Sequence, residues 1–427
     1  MPSFCNLVVA GLWVGLSRAL PLAASEPIPP SQDPWYTAPC GFEEAAPGAV
    51  LRLRSAPGNL TSIIGNSSAA YHVLYRTTDT QGQPSFAVTT LIAPNTTNSE
   101  SDDTYLISYQ PPYDTAAVDG SPSYALYNLL FTPNAFIPIP ETYYLGLLLG
   151  RGWFVTVPDY EGPLASFIEG PQAAHATLDA VRASSSLRHI LGTSDVHAAL
   201  WGYSGGGYAT AWAAELQPQY APELKLSGAA AGGIPTDIFT ILPMVNKTPL
   251  TGNLISSVIG LVSQFPEANA TLASQLKTDG PYNATGFFAA TKRNFLENAA
   301  VYAYQDVTEY FIGGVSPLDI PAVKDLVPSQ TILGVQDVPE IPYFVFGSIL
   351  DEAVGIAGMD ALVDKYCAEG ANILFQRNTV GSHGAEVANS IDRVFNFLES
   401  SLDGSFSLQG CKVENVTVAV NTTSDSA

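Results

Sequence analysis

Between residues 197 and 216 the chain reads HAALWGYSGGGYATAWAAEL, and this stretch restricts the fold more than any other. An apolar run of strand length gives way at once to a run with helical periodicity. The junction is Gly202-Tyr203-Ser204-Gly205-Gly206. Glycines on both sides of a serine let a strand turn sharply into a helix and leave the serine at the tip. With 36 glycines in 427 residues the pattern is not rare. Chance alone gives it in roughly one such sequence in four or five, so its surroundings have to carry the reading.

Those surroundings alternate. ETYYLGLLLGRG reads as a helix closed by glycine, WFVTVPDY as a buried strand, and residues 168–191 as a long helical stretch leading into HAALWGYS. After the serine, GGYATAWAAELQPQY is helical and is expected to end at Pro218. LSGAAAGGI is a small-residue strand that something must pack against closely, and IPYFVFGSIL and ANILFQRNTV complete the series. Strands alternating with helices imply an α/β fold with a mostly parallel, doubly wound sheet. The earlier runs YHVLYRTT, SFAVTTLIAP and TYLISYQ add antiparallel strands at one edge. Residues 236–319 break the alternation with apolar, helical sequence such as IFTILPMVNKTPLTGNLISSVIGLVSQFP. They read as an inserted, mainly helical cap, with an unrelated small second domain as the alternative. The expected organisation is a signal peptide at 1–24, a core in two parts at 25–235 and 320–403 around the cap at 236–319, and a C-terminal tail at 404–427.

The first 24 residues have an apolar core at about 4–16 and small residues at 23–25, as a secretory signal does, although a basic start is missing. An N-terminal membrane anchor is the rival reading; the run is short for a bilayer, so no transmembrane segment is expected in the mature chain. Eight N-x-S/T sites, at Asn59, Asn66, Asn95, Asn246, Asn269, Asn283, Asn415 and Asn421, fit an exported glycoprotein. A net charge of −22 speaks against nucleic acid or an anionic membrane surface as partner. Removal of the signal leaves Cys40, Cys367 and Cys411, which in an oxidising compartment favours one pair with a third cysteine over. No Cys-x-x-Cys or Cys/His ligand set occurs, so no metal site is expected.

A serine hydroxyl attacks a carbonyl only if a base takes its proton, and that base is usually a histidine oriented by a carboxylate. Among His72, His175, His189, His197 and His383, only His383 lies downstream of Ser204, in the loop GSHGAE after a strand. Asp351 follows the strand IPYFVFGSIL and lies between the two, giving the chain order Ser, Asp, His found in α/β-hydrolases. Glu352 is its neighbour and rival; Asp337 and Asp360 are placed less well, and a carboxylate at a strand end is often only a helix cap. Backbone donors for an oxyanion are expected at Gly205 and, in the absence of an HGGG segment, at Asp114 or Thr115 in ISYQPPYDTAA.

These segments resemble the fungal and bacterial secretory lipase family of the Candida antarctica lipase A type. The resemblance runs through DPWYTAPCGFEEAAPGAVLRLR, SYQPPYD with SPSYAL, VPDYEGPLASFIEG, GYSGGG, YAPELKLSGAAAGGIPTD, DEAV, KYCAEGANILFQR and SHGAE, in that order. It implies an α/β-hydrolase core with a helical cap between the serine and the acid, and hydrolysis of carboxylic esters, commonly triacylglycerols, without a cofactor. By resemblance Ser204, Asp351 and His383 take the triad positions, Asp114 and Gly205 the oxyanion positions, and Cys367 pairs with Cys411. Gly120 replaces a family cysteine and the cap has none, leaving Cys40 outside that pairing. The chain also ends soon after Cys411, so C-terminal elements that overlie the site in relatives are expected to be missing. The expected protein is a secreted triacylglycerol lipase acting on lipid or other ester substrate at a lipid–water interface. The alternatives are a carboxylesterase or acyltransferase for a soluble or secondary-metabolite ester, and a non-catalytic binding protein of the same fold.

Overall fold

The structure is a computed structural model and describes residues 26–97, 103–127 and 141–420. The expected signal at 1–24 and the sequon at Asn421 lie outside the described residues. One sheet is built from β1 (Val50–Ser55), β2 (Ser67–Thr78), β3 (Pro84–Pro94), β4 (Thr104–Gln110), β5 (Phe154–Pro158), β6 (Val196–Tyr203), β7 (Leu226–Gly232), β8 (Tyr343–Ser348), β9 (Ile373–Asn378) and β10 (Cys411–Val416). Their order across the sheet is β1-β2-β3-β5-β4-β6-β7-β8-β9-β10. The edge formed by β1, β2 and β3 is antiparallel and joins β5 antiparallel. From β5 onward every pairing is parallel. The strands β5 (FVTVP) and β8 (YFVFGS) are buried along their whole length, as strands covered on both faces must be.

Among the described residues, the helices of eight residues or more are α1 (Glu141–Leu149), α2 (Gly170–Ser186), α3 (Gly205–Tyr220), α4 (Ile238–Val245), α5 (Thr251–Val262), α6 (Pro266–Ser274), α7 (Phe295–Tyr302), α8 (Ile356–Ala368) and α9 (His383–Leu402). One core unites Leu178 and Val181 of α2, Trp212 of α3 and Leu362 and Tyr366 of α8. A second, on the other face, unites Tyr144 and Leu148 of α1 with Val394 and Leu398 of α9. The sheet is therefore doubly wound. The small-residue strand β7 is explained from both sides: a Cβ on Gly232 would lie 2.1 Å from the Phe346 ring, and one on Gly207 of α3 would lie 2.4 Å from the Gly232 carbonyl oxygen.

Five local expectations need correction. The helical stretch at 168–191 breaks at Leu187, whose ψ of 57° is not helical, so α2 is followed by a separate turn at Arg188–Leu191. Pro218 does not end α3, which runs on to Tyr220. Proline loses its own N–H and crowds the carbonyl four residues back, but the residues after it stay helical and the N–H of Ala221 still closes onto the Gln217 carbonyl. The segment after 403 supplies β10, which lies parallel to β9 and is fastened to α8 by the Cys367–Cys411 disulfide. Cys40 is not a cysteine left over: it is disulfide-bonded, and no described cysteine is free. Between β7 and β8 the chain is helical from α4 through α7 and continues in short turns to Gln330, beyond residue 319.

Candidate active site

The loops after β4, β6, β8 and β9 all leave the carboxyl edge of the parallel strands, where doubly wound folds place their sites. β6 ends at Tyr203 and α3 begins at Gly205, so Ser204 alone makes the turn. Its φ of 56° lies in the left-handed region, a strain of roughly 1–3 kcal/mol for a residue with a Cβ. The surroundings hold it there: the Ser204 N–H donates to the Gly232 carbonyl at 2.9 Å, and the Ser204 carbonyl accepts from the Tyr208 N–H at 2.8 Å. The flanking glycines are steric necessities. A Cβ on Gly202 would stand 2.1 Å from the Gly206 carbonyl oxygen, and one on Gly206 would stand 1.8 Å from that of Gln110.

His383 opens α9, directly after Ser382, whose hydroxyl caps the helix by accepting the Ala385 N–H. Its buried imidazole lies between the other two residues. Nε2 is 2.9 Å from the Ser204 Oγ, and Nδ1 is 2.7 Å from Oδ2 of Asp351. The other oxygen of Asp351 accepts the N–H groups of Ala353 and Val354, each at 2.9 Å. Burial by itself would raise the Asp351 pKa, but the hydrogen bond and charge of His383 and those two N–H groups outweigh it and hold the carboxyl below its ordinary value. Such a carboxylate fixes Nδ1–H toward itself and turns the lone pair of Nε2 toward the serine.

Two partners of His383 act on its backbone. Glu352 does not compete for the imidazole; its Oε2 accepts the His383 N–H at 3.0 Å. The Tyr203 hydroxyl donates to the His383 carbonyl at 2.7 Å, with the two rings 5.1 Å apart. Sequence reasoning missed Tyr203, although its place directly before Ser204 was the available signal. Of the other acids considered, Asp360 pairs with Arg377 at 3.3 Å and Asp337 accepts the N–H of Val338.

Asp114 follows β4 with a φ of 43°, and its carboxyl lies against the start of α3, where a Cβ on Gly205 would come within 2.0 Å of Oδ1. Burial raises the Asp114 pKa to about 7, against the pull of a charged His383. The Thr115 hydroxyl donates to the Arg293 carbonyl at 2.7 Å, and Thr115, unlike Asp114, does not line the pocket at Ser204. Asp114, Ser204, Gly205 and His383 share a pocket, open to solvent, whose other walls are largely apolar, including Phe167, Ile238, Leu242 and Phe295. Three of the inserted helices, α4, α5 and α7, contribute to these walls.

The remaining histidines lie outside this pocket. Burial, then the Arg54 charge, pushes His72 down to about 3; His175 is stacked on Tyr220 and pushed down by burial to about 4. His189 is exposed. His197, with Asp103 and Asp195, stands at the amino ends of β4 and β6, the far edge of the sheet. Of the sequons, Asn59, Asn66, Asn95 and Asn415 are exposed, while Asn246, Asn269 and Asn283 are half-buried.

Residues 137–410 match the secretory lipase family. A trichothecene C-3 esterase of Fusarium sporotrichioides is 46% identical over 425 residues, covering 97% of this chain and 93% of that protein. Lipase A of Arthroderma benhamiae is 37% identical, covering 93% of this chain and 85% of that protein. The closed-state crystal structure of Candida antarctica lipase A superposes with a TM-score of 0.80 at 28% identity, covering 95% of this chain and 93% of that one. Sequence and fold agree across nearly the whole length, and the chain belongs to the secretory lipase family, as a carboxylic ester hydrolase on the α/β-hydrolase fold.

Proposed function

We propose that Ser204, His383 and Asp351 form the catalytic triad of this hydrolase, and that it cleaves acyl groups from oxygenated secondary-metabolite alcohols outside the cell. The triad reading is carried by the convergence of the hydroxyl, imidazole and carboxylate within 2.9 and 2.7 Å at one pocket. Ser204 Oγ attacks the ester carbonyl while His383 Nε2 takes its proton. Asp351 holds the ring and stabilises the imidazolium. The N–H groups of Gly205 and Asp114 receive the oxyanion, each such donor being worth about 2.7–4 kcal/mol of barrier. His383 returns the proton to the departing alcohol, and the acyl group stays on Ser204. A water, deprotonated by His383, then attacks the acyl-enzyme and releases the acid. The helices between β7 and β8 act as the cap that excludes bulk water from this chemistry.

The substrate class rests on the 46% identity to the Fusarium trichothecene esterase, against 37% for the Arthroderma lipase. Export is supported by the signal-like start, the exposed sequons and the disulfide. A second reading, hydrolysis of fatty-acyl glycerol esters at a lipid–water interface, is favoured by Met244 and Leu350. They are 74% and 63% exposed, beside residues that line the pocket and beside Asp351. Assay of the purified protein on a soluble trichothecene acetate and on emulsified long-chain triglyceride separates the two. The expected outcome is at least a tenfold higher rate on the acetate, with both activities lost in Ser204→Ala. A preference for the triglyceride would overturn the substrate assignment.

A further inference from the structure

Among the described residues, the polar side chains that line the pocket apart from Asp114, Ser204 and His383 are Tyr208, Asn253 and Ser257. Tyr208 is committed, its hydroxyl facing the carbonyls of Ile168 and Gln330 at 2.9 and 3.1 Å. Asn253 and Ser257 are one turn apart on α5, so they share a face of that helix. Ser257 Oγ donates to Asn253 Oδ1 at 3.3 Å. With Oδ1 held, the two N–H bonds of Nδ2 remain, and no protein acceptor engages them among the described residues.

A structural duty does not account for Asn253. It is the third residue of α5, a position from which a side chain can reach back to cap the preceding N–H groups. Here that role is filled by another residue, since the N–H of Leu250 donates to Thr248 Oγ1 at 3.0 Å. Ser257 in turn does not use its hydroxyl on the carbonyl four residues back, the usual outlet for a serine inside a helix. The rest of α5 is buried, with Leu254, Val258 and Leu261 in the core, and its other two hydroxyls are engaged: Thr251 donates to the Thr248 carbonyl and Ser256 accepts from Asn298 Nδ2. A pocket shaped only for an alkyl chain gains nothing from an amide in its wall, because covering that amide with methylenes removes its water without replacement.

We propose that Asn253, oriented by Ser257, is a specificity-determining residue that donates to an acceptor oxygen on the part of the ester filling this pocket. The favoured substrates are then esters of alcohols with ring-ether, hydroxyl or carbonyl oxygens, and plain hydrocarbon groups are disfavoured. This rests on the triad reading given above and narrows its substrate class. No bond is made or broken by Asn253; it acts through binding.

The test compares wild type, Asn253→Leu and Ser257→Ala on three probes. These are the acetate of a polycyclic alcohol bearing ring-ether and hydroxyl oxygens, the acetate of an all-carbon polycyclic alcohol of equal ring number, and 4-nitrophenyl butyrate. Asn253→Leu is expected to lower the ratio of kcat/KM on the oxygenated acetate to that on the all-carbon acetate by roughly 10- to 100-fold. Ser257→Ala, which frees the amide without removing it, is expected to move the same ratio in the same direction by less. It decides the matter if the leucine variant does not fold. Equal effects on both acetates, or none, would overturn the assignment of Asn253 while leaving the triad reading intact. Failure of the wild type on all three probes would overturn the triad reading itself.

Discussion

At Asp351 the opposing influences on one side chain can be ranked. Burial favours its neutral form, yet the His383 hydrogen bond and two backbone N–H groups win and keep it ionised. An amide in its place would leave the imidazole in the wrong tautomer for accepting the Ser204 proton. Asp351→Asn should therefore lower kcat by about 10⁴-fold, with the fold retained, as steady-state kinetics and circular dichroism would show. A fall of tenfold or less would move the orienting role elsewhere. Glu352 touches only the backbone of His383, so Glu352→Gln, which keeps an acceptor oxygen, should cost far less than Asp351→Asn in the same assay.

The elements that carry the site were legible because their signals are local. Gly202 and Gly206 flank Ser204 in the chain itself, and the turn from β6 to α3 needs nothing remote to be recognised. His383 and Asp351 were legible through chain order and strand ends. What stayed hidden depends on contacts across the fold. Glu352 could be ranked against Asp351 only once the loop had turned its carboxylate toward the His383 N–H. The positive φ of Asp114 has no sequence signature, and β10 has too little apolar alternation to stand out, being exposed at Cys411, Lys412 and Val413. That strand depends on its staple. The Cys367–Cys411 bridge closes a separation of 44 residues between α8 and β10. Replacing both cysteines by alanine should lower unfolding free energy by roughly 2–4 kcal/mol, seen as a lower urea midpoint; an unchanged midpoint would mean that pairing with β9 alone secures the strand.

Over the whole molecule the buried titratable groups set the sign of the pH dependence. Burial raises Glu141 and Asp159, like Asp114, to about 7, and holds Glu161 and Glu169 well above the ordinary carboxylate value. An acid that stays protonated in the folded state but not in the unfolded one contributes stability below its unfolded pKa, and loses it as pH rises through the folded value. His72 and His175 act in the opposite sense, but their influence ends at the ordinary histidine pKa of about 6.5. Above that value only the acids remain, so Tm should fall between pH 6.5 and 8.5. Neither oxygen of Glu161 has a hydrogen-bond partner among the described residues. Glu161→Gln should make the fall shallower in a thermal scan series; a Tm that rises over this range would contradict the assignment of these groups as buried neutral acids.

The central claim is that Ser204 is the nucleophile of an acyl-enzyme mechanism. A serine-reactive alkyl phosphonate, followed by intact-mass measurement and peptide mapping, tests it directly. The wild type should gain one adduct on the peptide that contains GYSGGG, at Ser204, with activity lost in step, and Ser204→Ala should gain none. An unlabelled wild type, or equal labelling of both proteins, would contradict it.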